Sequence, residues 1–226
     1  MRTIVRKQLR RYHIWLGWLV GIPLLFWTLS GVVMVWKPND EVRGTGLLAN
    51  PVPFVLAAPP VAPVIPEKIA SLTLEPRAAG PRWVVKLPSG TRLADPVTGA
   101  ILPPLSAAGA AREVVARYTG TAKLAAVTRT DPADPPLDLR RPIAAWKVMM
   151  SDGTHFYVDA GSGAIVATRT RFWRFYDLMW GLHIMDLQTR EDTHNPWLVG
   201  FGILTLVTTI LALVLLPLTG RRRGKR

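Results

Sequence analysis

The stretch RFWRFYDLMWGLHIMDLQTREDTHNP, residues 171–196, joins a polar middle region to a final apolar run, and its reading decides the fold. Within it Phe172, Phe175, Tyr176, Met179, His183 and Leu187 recur at steps of three and four, the spacing of one helical face. An amphipathic helix over 171–190 is predicted. The rings of Trp173, Tyr176 and Trp180 favour the headgroup zone of a bilayer, so this helix is expected to lie at a membrane surface just before the chain enters it.

Outward from this join, charge sets the topology. No charged residue occurs in 14–36 or in 196–220. Each run is long enough to cross a hydrocarbon core about 30 Å thick, which takes roughly 20 helical residues. Spans over 13–36 and 196–218 follow. The formal charge is +13, yet Arg2, Arg6, Lys7, Arg10 and Arg11 precede the first span and Arg221, Arg222, Arg223, Lys225 and Arg226 follow the second. Taking those ten charges away leaves +3, so the basic excess sits at the two tails, 1–12 and 219–226. This is the positive-inside pattern. Both termini are expected in the cytoplasm and residues of about 37–195 outside the inner membrane. The tails read as topology and lipid contact, not as a nucleic-acid footprint.

The sequence has no cysteine, which excludes disulfides, zinc-thiolate sites, iron–sulfur clusters and a cysteine nucleophile. The first span is too long for a signal-peptide core and has no small-residue cleavage site directly behind it, so it is expected to stay as an anchor. Gly17, Gly21, Leu24, Thr28 and Gly31 form one mostly small stripe, and Gly202, Thr205, Thr209 and Ala212 form another. Such stripes let backbones approach closely in lipid, which predicts contact between the two spans or a homodimer. Residues 37–66, with PVPFVLAAPPVAPVIP at 51–66, read as an extended linker, because repeated proline removes donors.

The middle region repeats itself. WVVKLPSGT (83–91) followed by DPVTGAIL (95–102) aligns with WKVMMSDGT (146–154) followed by DAGSGAIV (159–166), with one residue inserted. Each copy reads as strand, Gly-Thr turn, strand, Asp-started turn and a third strand. Residues 106–118 read as a helix laid on the second sheet. Asp95 and Asp159 read as turn formers, since aspartate bonds its own backbone. His155, on the opposite facing of its strand from the core, is expected to be exposed.

PIAAWKV (142–148) leading to FYVDAGSGAIV (156–166) resembles the PepSY domain. YHIWLG (12–17) and LHIMD (182–186) resemble the flanking segments of the PepSY-associated transmembrane family of bacterial inner-membrane proteins. The implied fold class is α+β: two transmembrane helices flanking a periplasmic domain of two PepSY-like units, 67–105 and 106–170, each a helix plus a small antiparallel sheet. The resemblance implies a non-catalytic binding or regulatory module for a peptide, a peptidase or another membrane or periplasmic protein. Larger relatives with more spans carry haem b on membrane histidines and reduce siderophore iron, which makes His13 and His183 candidate haem ligands here.

Those two histidines stand at opposite ends of the spans, so one iron in one chain cannot take both as axial ligands. A dimer could pair each with its copy. The structural alternative makes His13 a polar residue at a helix end and His183 an anchor of the amphipathic helix. A second constellation is His183, Asp186 and His194, whose imidazole and carboxylate groups suit zinc, iron or copper. Against it, Glu191, Asp192 and Asn195 ahead of Pro196 make a good helix start. Nucleophile-elbow, phosphate-loop and helical zinc-protease motifs are absent.

Overall fold

Basic residues ahead of the first apolar run do not interrupt helix formation, because Arg and Lys are good helix formers. The computed structural model describes residues 2–220, and α1 runs unbroken over Arg2–Trp36, about 52 Å at 1.5 Å per residue. Residues 221–226, with the expected second basic tail, lie outside the described part. The chain is α+β, with two antiparallel sheets and a long apolar helix near each end. It divides into two compact units, one of residues 1–37 and 175–226, the other of residues 38–174. The two stretches expected as separate units, 67–105 and 106–170, fall inside the second.

In the helical unit α1 packs against α5, Pro196–Gly220, and both are long and apolar enough to cross a membrane. The expected stripes belong to the buried seam of this pair only in part: Gly17, Leu24, Thr205 and Ala212 are half-buried alongside His13, Leu16, Pro23, Leu198, Phe201 and Thr208, and Val20 and Leu215 are buried, whereas Gly21, Thr28, Gly202 and Thr209 are exposed. A Cβ added at Gly17, Gly21, Gly200 or Gly202 would meet nothing within 4 Å. At those four glycines the close backbone approach that small residues allow is not used.

The other unit is built on two sheets. The first has the order β1-β2-β3, with β1 at Ser71–Glu75, β2 at Arg82–Leu87 and β3 at Gly90–Ala94. Its expected third repeat strand is reduced to one bridge, Ala94 with Ile101, and β1 stands on the opposite edge instead. The second sheet has the order β4-β5-β6-β7, with β4 at Leu124–Arg129, β5 at Ala145–Met150, β6 at His155–Asp159 and β7 at Ile165–Arg169. Helix α3, Ala107–Val115, lies on it and buries Ala110 and Val114 against Val148, Met150, Phe156 and Val158. Asp95 and Asp159 each accept backbone N–H groups two and three residues on, and Gly99 and Gly163 close those turns at φ +73° and +68°. Only glycine adopts such values without strain.

The expected linker is more ordered than its prolines imply. It contains the short helix α2, Asn39–Arg43, which buries Val42, and a single 3-10 turn at Thr45–Leu47. Further on, Ala49 N–H donates to the Arg117 carbonyl, Val61 N–H to that of Pro96, and the Trp83 indole to that of Val61. Proline removes donors from this segment, but the remaining N–H and C=O groups find partners on the folded unit.

Helix α4, Arg171–His183, is shorter than the amphipathic pattern implied. It stops because Met185 adopts a left-handed conformation at φ 56° and the Asp186 carboxylate organises the residues behind it. Its Oδ1 accepts from the N–H of Gln188 and Thr189, and its Oδ2 from those of Glu191 and Asp192 and from the Thr189 hydroxyl. Leu187 therefore belongs to a loop, not to a helical face.

Candidate functional site

His183, at the last turn of α4, is seated against α1. Its ring stacks on Trp27 with centroids 4.4 Å apart and planes 19° from parallel. Nδ1 lies 3.1 Å from the hydroxyl of Ser30 and 3.1 Å from the Trp27 carbonyl, while the Ser30 hydroxyl also reaches that carbonyl at 2.8 Å. Gly31 permits the approach, since a Cβ there would meet the ring at 3.2 Å. A buried serine, a glycine and an indole thus form a socket for one imidazole.

The same joint is fixed further along the chain. Arg190 donates from Nη1 to the buried carboxylate of Asp177 at 2.6 Å, and the Trp180 indole donates to the Arg190 carbonyl. Buried Asn195 donates from Nδ2 to the carbonyls of Ile184 and Asp192, and its Oδ1 accepts from Leu198 N–H. That last bond caps α5, and the first two tie the end of α4 to it.

This geometry separates the histidines proposed for haem. His183 sits at the level of Trp27, which is fourteen residues, or about 21 Å of helix, beyond His13. His13 keeps a buried Nδ1 without a hydrogen-bond partner. The pair does not fit one haem within a chain. Nor are His183, Asp186 and His194 brought into one ligand set. Asp186 is consumed by its loop, where the Thr189 hydroxyl, with the backbone donors, holds its carboxyl well below the usual range against the opposing effect of desolvation. His194 is exposed, with Nδ1 beside the Thr193 hydroxyl. Among the described residues no three of His, Asp and Glu stand together as a metal site.

Two arrangements in the sheet unit were not anticipated. On the face of β6 away from α3, Asp138 takes a 2.5 Å hydrogen bond from the Tyr157 hydroxyl at Oδ1 and faces His155 Nδ1 at 3.2 Å through Oδ2. His155 is therefore not solvent-exposed as expected: residues 130–144 fold over this face and Leu139 joins Ala145, Tyr157 and Ala167 in a second small core. Arg169 Nε donates to the Asp138 carbonyl, its guanidinium lies 4.0 Å from the Trp173 ring, and Arg174 donates to the carbonyls of Gly153 and Arg169. Burial alone would raise the Asp138 pKa, but the bonds from Tyr157 and His155 and the Lys147 charge bring it below its ordinary value. Burial and the nearby Lys147 and Arg174 push His155 down. Burial and the Asp138 bond push Tyr157 up. Carboxylate, imidazole and phenol thus clamp this face together.

The second arrangement is a cleft of about 250 Å³ between the 77–82 turn, β3, residues 102–106 and the start of α3. Leu93, Leu102 and Leu105 give it apolar walls, and Arg77, Arg82, Arg112 and Glu113 line it. Glu113 is buried, and both its oxygens accept from Ala78 N–H at 3.0 Å. Burial raises its pKa against the pull of that bond and of Arg77, Arg117 and Arg112. A sequence signal for it existed: Glu113 shares a helix face with Gly109, Ala110 and Val114, so a carboxylate was aimed inward. Asp138 gave none, because its partners lie across a loop.

No protein-family model, no curated protein and no solved structure matches the chain.

Proposed function

We propose that this chain is a bacterial inner-membrane protein with both termini in the cytoplasm. Its periplasmic part, about residues 37–195, carries two PepSY-like units that bind a peptide, a peptidase or a membrane partner without catalysing a reaction. Two helices long enough to cross a bilayer, and basic residues at the outer ends of both, support the placement. One observation carries the function: the cleft beside α3 offers cations and apolar walls, while its single carboxylate is already bonded to backbone. That is recognition chemistry, charge and apolar contact beside a carboxylate held in place.

In-cell crosslinking followed by affinity capture of the full chain is expected to recover a partner joined to residues 38–174. Recovery of none overturns the reading. So does a Soret band in the purified protein that disappears in His13→Ala or His183→Ala, which would make the chain a haem-bearing electron-transfer component related to iron or siderophore reductases.

A further inference from the structure

We propose that the cleft beside α3 takes the free C-terminal carboxylate of a peptide that ends in an apolar residue. The inference rests on reading this unit as a binding module and names the chemistry of its site.

Charge comes first. Three arginines and one glutamate line the cleft, but Glu75 and Asp95 stand against Arg77 and Arg82, so its cationic character rests on Arg112. Two of the arginines are fixed by the fold. Arg77 donates from Nε to the Ser162 carbonyl, from Nη1 to that of Pro76 and from Nη2 to Glu75, and its side chain is 9% exposed. Arg82 donates to the carbonyls of Pro81 and Ala79 and stands 3.8 Å from Asp95. Both are committed to these partners. Arg112 differs: it is exposed and donates to no acceptor among the described residues, so its fork is open to a ligand. A planar carboxylate matches that fork with two parallel bonds.

Shape decides what the carboxylate is attached to. Leu93, Leu102 and Leu105 ask for an alkyl group beside the anion, which inorganic phosphate lacks. The cleft's volume suits one apolar side chain with its carboxylate, and its open side lets a preceding chain leave toward solvent. A peptide terminus satisfies both conditions. Glu113 completes the site passively: its hold on Ala78 N–H fixes the turn that carries Arg77.

The test uses full-length protein in detergent and acetyl-Ala-Ala-Leu in two forms, free acid and C-terminal amide, followed by calorimetry. The acid is expected to bind and the amide to bind at least tenfold more weakly. Arg112→Gln should weaken the acid about tenfold, the loss of one charge-assisted hydrogen bond, and Arg112→Lys should recover part of it. Equal binding of acid and amide overturns the proposal, as does absence of binding by either at millimolar concentration. Decanoate or inorganic phosphate displacing the peptide at equal concentration overturns the peptide terminus as the source. The acid–amide comparison needs no variant, so a misfolded substitution cannot hide the answer. If both peptide forms fail while a crosslinked partner is still captured, this inference falls and the binding-module reading stands; if neither appears, both fall.

Discussion

Asp138 holds two side chains of β6 at once, and that makes its neighbourhood sensitive to acid. His155 has an ordinary pKa of 6.5 and a lower one in the fold. Above the ordinary value both folded and unfolded chains carry it neutral. As pH falls below it, the unfolded chain takes a proton that the folded one refuses, so stability declines until the folded group titrates as well. Asp138, also lowered, adds stability that is present above 3.8 and lost as pH falls through its folded value. Glu113 works the other way: its pKa is raised, so its contribution is complete below 4.5 and is lost as pH rises through the folded value. Between pH 7.5 and 5, wild-type β6 amides should therefore exchange faster as pH falls, once corrected for intrinsic rates. In His155→Asn, whose amide N–H stands near the position of Nδ1, that acceleration should be smaller; an undiminished one would remove His155 from the account. Tyr157→Phe leaves a half-buried carboxylate short of a donor and should cost about 1–3 kcal/mol in urea unfolding.

At the scale of elements, the joint between α4 and α5 depends on one side chain more than on either helix pattern. Asn195 caps α5 and bonds both Ile184 and Asp192, so Asn195→Ala should destabilise the helical unit by about 1–2 kcal/mol, read as a lower melting temperature of its circular dichroism. That start of α5 was legible, because Asn before Pro is a local signal. So were both apolar helices, α3 and the aspartate turns, since each is set by residues adjacent in sequence. The end of α4 was not: the three-and-four periodicity continues to Leu187, but a carboxylate collecting four N–H groups outbids one more helical turn. The cover over His155 was equally hidden, for a loop leaves no period. Contact between the spans was legible but its exact residues were not, because small residues signal possible contact without saying which neighbouring face is filled. A cysteine pair at Val20 and Thr208, both on the seam, should crosslink readily on mild oxidation; one at Gly21 and Thr209, both exposed, should not.

For the whole molecule, on the placement proposed above, the decisive quantity is the side of the membrane on which each segment stands, and the absence of native cysteine makes it measurable. Basic residues cost several kcal/mol to carry across a hydrocarbon core, roughly 2.5–3.5 each at a helix centre, so the end of α1 that bears Arg6, Lys7, Arg10 and Arg11 should stay where it was made. The sheet unit, which falls between the two long helices in sequence, rests on three small cores and no disulfide, a composition that either compartment permits. Topology must then come from the charges alone. Single cysteines at Val55 and Val64, both almost fully exposed, should react in spheroplasts with a maleimide that cannot cross the membrane. A cysteine in place of Lys7 should react only after the membrane is opened. The opposite pattern would place the sheet unit in the cytoplasm and remove the periplasmic reading of the cleft. Replacing Arg6, Lys7, Arg10 and Arg11 together by glutamine should blur the pattern in the labelling of Val64→Cys, because the bias of lysine and arginine, not the count of acids, sets orientation.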